Sequence, residues 1–259
     1  MNTYIKALAA CLLSIAMVGC TMQERPTQSG LLRSNFQTEH MGMQTDLYTL
    51  TNDNGMEVCF TNFGGRIVSI LVPDRHGNML DVCLGHDSIA DYIRYGYQGC
   101  NFGALIGRYG NRIKDGMFTL DGIAYQLPRN NDGNCLHGGG DIAFHNRMWQ
   151  AQPINSHSIA FTTISPDGED GFPGNLSVKV TYTLTNDNAI SIAYEATTDK
   201  PTVINLTNHC YFCLSGDPSR DVMDEVLYLN AEAYTPVDAN VAVTGEIAMV
   251  KNTPFDFRT

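Results

Sequence analysis

The residues best suited to proton chemistry are two histidines in polar, turn-rich surroundings. His209 lies in NLTNHCYFCLSG (205–216), and His137 precedes three glycines in NDGNCLHGGG (131–140). An imidazole has an unperturbed pKa of about 6.5, so it can donate or accept a proton at neutral pH. A buried, hydrogen-bonded histidine without a function is the simpler interpretation of either one alone. Their occurrence together favours an acid/base site.

The Cys-x-x-Cys spacing of Cys210 and Cys213 suggests a redox pair or a metal site, but strand geometry disfavours both. If HCYFC is a strand, its side chains alternate, so His209, Tyr211 and Cys213 share one face and Cys210 points away. A disulfide or a zinc site needs sulfurs that converge, and a thioredoxin-like pair would open a helix. The pattern instead predicts a phenol beside an imidazole, as in a polar pocket.

A third polar stretch, GALIGRYGNRIKDG (103–116), contains Arg108, Asn111 and Arg112 after an apolar lead-in. The Arg112 guanidinium could pair with a carboxylate or hydrogen-bond a polyol. The glycines that follow His137 would let a backbone approach a ligand closely, although a glycine-rich turn after a strand has the same composition. They lack the Lys-Ser/Thr of a phosphate loop.

Turn dipeptides between β-branched and aromatic runs predict antiparallel strands along the whole chain. The predicted hairpins are LYTLTNDNGMEVCFTN (47–62), GGRIVSILVPDRHGNMLDVCLG (64–85), FTLDGIAYQL (118–127) and LSVKVTYTLTNDNAISIAYEAT (176–197). The one helix candidate is DSIADYIRYG (87–96), with Asp87 or Ser88 as its N-cap. Because no βαβ alternation or internal repeat occurs, the sequence predicts an all-β domain of sheets packed on one another.

Composition excludes several classes of protein. The chain has 259 residues, is 43% hydrophobic and carries a formal net charge of -11, with no basic run after residue 20. A nucleic-acid backbone would therefore be repelled, and no nucleic-acid partner is expected. The cysteines at 59, 83, 100, 135, 210 and 213 show no repeated metal-ligand spacing, and most are interpreted as small buried hydrophobes.

The N-terminus has the layout of an export signal. Lys6 precedes an apolar run too short to span a bilayer, and Met17-Val18-Gly19-Cys20 resembles a bacterial lipobox, although a Leu usually begins that motif. We therefore expect a signal peptide over 1–20, lipidation at Cys20, a polar tether over 21–37 and the folded domain over 38–259. A plain cleaved signal peptide is the alternative. Either way we expect an exported bacterial protein, periplasmic or on the cell surface, whose contact with a membrane is its N-terminal lipid.

The order of the motifs resembles the aldose 1-epimerase family, also called mutarotases. The resemblance runs from about residue 38 to the end of the chain, through GRYGNRI, LHGG, DGEDGFPG, INLTNHCYF, YTPVDANVAVTGEI and TPFDFR. It implies a large antiparallel β-supersandwich. It also implies an isomerase that interconverts the α and β anomers of free hexoses such as galactose and glucose, acting as a monomer.

The resemblance also implies roles for individual residues. His209 would be the general acid that protonates the ring oxygen, and His137 would steady the same oxygen region. Asn111 and Arg112 match the sugar-binding Asn-Arg pair, and Tyr211 matches the tyrosine two residues after the acid. No metal or organic cofactor is required. Some secreted relatives carry calcium, but the chain contains no contiguous Asp-x-Asp-x-Asp loop.

The resemblance is incomplete at the C-terminus. The family's general base, a glutamate, and a substrate-binding Asp both lie beyond TPFDFR, whereas this chain ends at Thr259. We therefore expect an incomplete supersandwich that is inactive by itself and belongs to a longer product. The alternatives are a non-catalytic carbohydrate-binding lipoprotein on the same scaffold and an epimerase of phosphorylated sugars, which the negative charge disfavours.

Overall fold

The computed structural model describes residues 24–258, which fold mainly as antiparallel strands joined by tight turns. A single α-helix of the described chain, α1, spans Ile89–Gly96, and short 3-10 turns span Arg33–Phe36, Lys114–Gly116, Phe144–Asn146 and Glu169–Gly171. Numbered in chain order, the strands are β1 Glu39–His40, β2 Met43–Gln44, β3 Leu47–Thr51, β4 Glu57–Thr61, β5 Arg66–Pro73, β6 Met79–Asp81, β7 Leu105–Ile106, β8 Arg112–Ile113, β9 Met117–Leu120, β10 Ile123–Gln126, β11 Cys135–Leu136, β12 Gln150–Asn155, β13 Ser158–Ser165, β14 Leu176–Leu184, β15 Ile190–Thr198, β16 Thr207–Asn208, β17 Ala233–Tyr234 and β18 Ala248–Met249.

Two four-stranded sheets form the body of the fold. Their strand orders are β3-β4-β5-β6 and β12-β13-β14-β15, so each strand pairs with its neighbour in the chain. All four predicted hairpins are present in these sheets and in the small β9-β10 ribbon. In that ribbon Asp121 and Gly122 both have positive φ, 50° and 79°, as a two-residue turn with the strand twist requires.

The main core lies between the inner faces of the two sheets. Strand β14 alternates buried and more exposed residues, so Val178, Val180 and Tyr182 face inward. There the rings of Phe60 and Tyr182 lie 4.8 Å apart, and Phe161 packs against both. Each such buried side chain stabilises the fold by about 1.5–3 kcal/mol relative to exposure.

A second apolar cluster covers the outer face of the first sheet, and it includes the predicted helix. Ser88 is the N-cap of α1, and its hydroxyl accepts a hydrogen bond from the backbone N–H of Asp91 at 3.2 Å. Ile89 and Tyr92 are the buried residues that pack into the cluster. Strand β4 is consequently buried on both faces, unlike β14.

The predicted polar tether over 21–37 is wrong for its described part. Leu31 and Phe36 are buried in the second cluster. The backbone N–H groups of Gln28 and Ser29 donate to the Glu57 carboxylate at 3.1 and 3.0 Å. Buried apolar side chains and hydrogen bonds to Glu57 together dock this segment on the sheet.

The predicted signal segment, including Cys20, lies outside the described residues. Between residues 24 and 258 no helix combines the length and the apolar character that crossing a bilayer demands.

Tyr182→Phe should lower the free energy of unfolding by about 1–2 kcal/mol, because a buried polar contact between the second sheet and β16 would be lost. The Tyr182 hydroxyl donates to the carbonyl of Gly65 and accepts from Asn208 Nδ2, both at 3.2 Å. Urea denaturation measures the change. Tyr194→Phe is the matched control: this partly exposed ring is on the next strand, and we expect a change within about 0.5 kcal/mol. An equal loss of unfolding free energy in the two variants would show that the Tyr182 hydroxyl contacts do not stabilise the fold.

Candidate active site

The structure brings the two predicted histidines together. The ring centroids of His137 and His209 lie 5.1 Å apart at an interplanar angle of 84°. Each histidine directly follows a short strand: His137 follows β11, which pairs with β8, and His209 follows β16, which pairs with β7. Two small ladders, formed by residues distant in sequence, thus converge on one point.

Asn111 and His137 are joined by two hydrogen bonds at the end of the β8-β11 ladder. The His137 N–H donates to the Asn111 carbonyl at 3.0 Å, and the Asn111 N–H donates to His137 Nδ1 at 3.0 Å. Both residues have positive φ, 61° and 57°, which non-glycine residues adopt only when their surroundings impose it. Because Nδ1 accepts a hydrogen bond, the proton of the neutral imidazole is on Nε2, which is left as a donor.

Arg112 lies beside this pair with part of its guanidinium unused. Its Nε donates to Asn131 Oδ1 at 3.0 Å, and its Nη1 contacts Asn111 Oδ1 at 3.3 Å. These bonds fix the plane of the group, and the guanidinium makes no other hydrogen bond within residues 24–258. The remaining N–H groups are free to bind a hydroxyl or a carboxylate.

Arg108, the other arginine of this stretch, does not belong to the site. It is buried, and its guanidinium donates to Ser165 Oγ and to the carbonyls of Ser165, Pro166 and Pro173 at 2.8–2.9 Å. Arg108 therefore anchors the DGEDGFPG loop to the body of the fold.

Tyr211 lies beside His209, as the alternation argument predicted. Their ring centroids are 5.0 Å apart, and Phe102 packs on the tyrosine at 5.1 Å. The predicted strand through HCYFC is wrong in extent, because β16 ends at Asn208 and only an isolated bridge follows. The side chains nevertheless alternate, and Cys210 points away from His209 toward Cys83.

A cleft of about 420 Å³ opens beside His137, within the size range of small-molecule sites. Its lining is strongly polar and consists of residues 96–99, Asn101, Asn130, Asn131, Leu136, His137, Gly139, Gly140, Asp141, His145 and Asn146. His209 lies against this cleft through its contact with His137.

The sequence analysis missed His145, Asn101 and Asn146. All three are more than nine-tenths buried, and each has a polar atom without a hydrogen-bond partner among the described residues: His145 Nδ1, Asn101 Oδ1 and Asn146 Oδ1. No turn or glycine marks His145 in AFHNRMW, so the sequence carried no signal that it would reach the cleft.

The first glycine after His137 has a structural role, and the next two line the cleft. A Cβ on Gly138 would lie 2.0 Å from the carbonyl oxygen of Gly107, so this residue permits close contact between two backbones. Gly139 and Gly140 line the cleft.

Burial keeps two of the clustered histidines neutral. It lowers the pKa of His137 to about 4, with smaller contributions from His209 and Arg112. It lowers the pKa of His145 to about 3, reinforced by Arg66 and His137. In the described chain no carboxylate hydrogen-bonds to any of these rings, and no group of three His, Cys, Asp or Glu residues is placed to hold a metal. The geometry thus suits hydrogen bonding to a neutral, hydroxyl-rich ligand.

Comparison with known proteins agrees with this geometry. Residues 46–259 match the family model for aldose 1-epimerase. The chain belongs to the aldose 1-epimerase family. It is 40% identical over 217 residues to galactose mutarotase of Rattus norvegicus, covering 84% of this chain and 61% of the rat protein. It is also 40% identical over 218 residues to aldose 1-epimerase of Escherichia coli K12, covering 84% of this chain and 62% of that protein. The chain thus spans less than two thirds of these relatives.

Solved structures of the family share the fold. An aldose epimerase homologue from C. elegans superimposes with a TM-score of 0.75 at 31% identity, covering 83% of this chain and 64% of its own. Galactose 1-epimerase from Lactobacillus acidophilus gives a TM-score of 0.73 at 30% identity, covering 86% and 64%. The predicted all-β, mutarotase-like fold of this aldose 1-epimerase family member is therefore confirmed.

Acidification should destabilise the protein through His145. The folded state keeps this imidazole neutral down to about pH 3, whereas the unfolded chain protonates it at about pH 6.5. The unfolded chain therefore binds more protons between these values, and stability present above pH 6.5 is lost as the pH falls. Between pH 7.5 and 5 the loss due to His145 should be about 2 kcal/mol.

Urea denaturation of wild type and His145→Gln at these two pH values isolates this contribution. The variant should lose about 2 kcal/mol less than wild type on acidification. His76→Gln, which removes an exposed histidine, should behave like wild type. Parallel pH dependence in wild type and His145→Gln would show that His145 is not held neutral.

Proposed function

We propose that the protein is an aldose 1-epimerase that interconverts the α and β anomers of free hexoses such as galactose and glucose. The observation that carries this proposal is the contact of His137 with His209 at the edge of a polar cleft, beside the Asn111–Arg112 pair. Relatives named galactose mutarotase and aldose 1-epimerase support it. Because the chain spans 61% and 62% of those proteins, activity is proposed for the whole protein.

Opening a cyclic hemiacetal requires one proton to reach the ring oxygen and another to leave the anomeric hydroxyl. We assign the first transfer to His209, whose ring makes no hydrogen bond with the described residues and is free to meet a ligand. His137 donates a hydrogen bond from Nε2 to the same oxygen region, since its pKa of about 4 excludes it as an acid at neutral pH. Arg112 and Asn111 bind sugar hydroxyls, and Tyr211 orients the His209 ring.

The second transfer needs a base on the opposite side of the sugar. The family resemblance assigns this role to a glutamate after TPFDFR, and none of the acidic residues in 24–258 hydrogen-bonds to His137 or His209. We therefore propose that turnover depends on that carboxylate and that residues 1–259 alone bind sugar with little or no turnover. Proton transfer of this kind requires no cofactor. We further propose export, with a lipid on Cys20 as the membrane anchor, and a monomeric state.

Polarimetry on freshly dissolved α-galactose tests the proposal, using the product of the complete reading frame and the 259-residue chain in parallel. The complete product should accelerate mutarotation, and His209→Ala should lower kcat/KM by about 10²- to 10⁴-fold, the usual worth of positioned proton transfer. His76→Ala, an exposed histidine far along the chain from both site histidines, should leave the rate unchanged.

Two outcomes would count against this assignment. Acceleration that survives His209→Ala would remove the proposed acid. Sugar binding without acceleration by the complete product would favour the carbohydrate-binding alternative.

Arg112→Lys should raise KM about tenfold or more while changing kcat less. A lysine keeps the charge but cannot donate from the Nε and Nη1 positions that hold Asn131 and Asn111. Steady-state kinetics on the complete product gives both constants, with Arg129→Lys as a control on a neighbouring exposed arginine. An unchanged KM would place Arg112 outside the sugar site.

A further inference from the structure

Two cysteines far apart in the sequence meet directly behind the proposed acid. The sulfurs of Cys83 and Cys210 lie 3.3 Å apart, although the residues are separated by 127 positions. Both are free thiols in this structure. The Cys-x-x-Cys spacing had directed attention to Cys213, whose sulfur instead contacts Ser215 Oγ at 3.5 Å.

Backbone pairing holds the two cysteines in this register. Cys83 forms an isolated antiparallel bridge with Phe212. On either side of it, the Leu84 N–H donates to the Tyr211 carbonyl and the Cys213 N–H donates to the Val82 carbonyl, both at 2.9 Å. Residues two apart on a strand share a face, so Cys210 and Phe212 both flank Cys83.

The distance between the sulfurs suits covalent closure. A disulfide bond is about 2.05 Å long, and its formation from thiols in van der Waals contact needs only small side-chain rotations. Among residues 24–258, Cys83 and Cys210 are the only two cysteines whose sulfurs are in contact. Cys59 contacts Ser29, Thr49 and Glu57, and Cys100 contacts His86.

The two thiols differ in accessibility, which sets the order of reaction. Cys83 is buried, and its contact with Cys210 together with burial raises its pKa, so Cys83 ionises less readily than an ordinary cysteine. Cys210 is only partly buried and lines an open apolar cleft of about 380 Å³. A reagent in solution therefore meets Cys210 first.

We propose that Cys83 and Cys210 are an oxidisable pair that forms a disulfide with a disulfide-class oxidant. The Cys210 thiolate attacks the oxidant's S–S bond, forms a mixed disulfide and releases one thiol. Cys83, as its thiolate, then attacks the Cys210 sulfur and displaces the second thiol. The pair loses two electrons and two protons, and the oxidant is reduced to two thiols.

The bond would tie the segment that carries His209 and Tyr211 to the end of β6. It would close a loop of more than a hundred residues across the two halves of the fold, which restricts the unfolded chain strongly. It would also oppose local opening of the site. This inference does not depend on the proposed sugar chemistry.

The experiment incubates the folded chain in a mixture of oxidised and reduced glutathione, quenches it with acid, and maps peptides by mass spectrometry without reduction. We expect a linked pair of tryptic peptides, one containing Cys83 and the other Cys210. Cys210 and Cys213 lie on the same tryptic peptide, so two variants are needed to tell which of them is linked. The link should persist in Cys213→Ser and vanish in Cys210→Ser. The oxidised wild type should melt about 5 °C or more above the reduced protein.

The wild-type measurement alone can overturn the proposal, so the test remains decisive even if a variant fails to fold. The proposal is overturned if Cys83 is alkylated to the same extent after glutathione treatment as after dithiothreitol treatment, in a chain whose circular dichroism is native. A link from Cys83 to Cys213 would overturn it as well. Neither readout uses mutarotation, so this test and the polarimetry succeed or fail separately.

Discussion

The mutual hydrogen bonding of Asn111 and His137 is the constraint on which the site depends. It stabilises two non-glycine residues at positive φ, where each alone would be unfavourable. The bond from the Asn111 N–H to Nδ1 sets the tautomer of His137, and the Asn111 side chain accepts a hydrogen bond from the Arg112 guanidinium. Two hydrogen bonds at the end of a two-residue ladder, one between backbone groups and one from a backbone N–H to the ring, thus place an imidazole donor beside a guanidinium.

His209 is positioned by a different part of the fold. Its N–H donates to the Ala104 carbonyl at 2.8 Å, and its carbonyl accepts from the Gly103 N–H at 3.1 Å. Asn208, one residue earlier, donates to the Gly103 carbonyl and to the Tyr182 hydroxyl of the second sheet. His209 is therefore held by residues 103–104 and, through Asn208, by Tyr182 of the second sheet.

Local patterns predicted the elements well. The four hairpins follow from turn dipeptides between alternating residues, the helix from Ser88 and its amphipathic run, and the pairing of His209 with Tyr211 from strand parity. The failures are non-local. Arg108 and Arg112 have the same chemistry and are four residues apart, yet only contacts with a distant loop bury the first.

The same limit explains the other failures. The docking of Leu31 and Phe36 depends on an apolar cluster contributed by β4, β5 and α1, which a local view of a polar segment does not include. His145 reaches the cleft through a 3-10 turn that sequence periodicity does not encode. The contact of Cys83 with Cys210 joins segments whose pairing is decided by the whole sheet arrangement.

The three clustered histidines lie in different environments, and these environments suit them to different roles. His145 is buried with a pKa of about 3, so it contributes a polar, uncharged surface to the cleft. His137 has Nδ1 committed to a backbone N–H and a pKa of about 4, so only its Nε2–H faces a ligand. Neither can carry a proton to a substrate at neutral pH. The His209 ring also makes no hydrogen bond among residues 24–258, but it packs against His137 beside the cleft, and it is the imidazole to which we assign the proton transfer in the proposed mechanism.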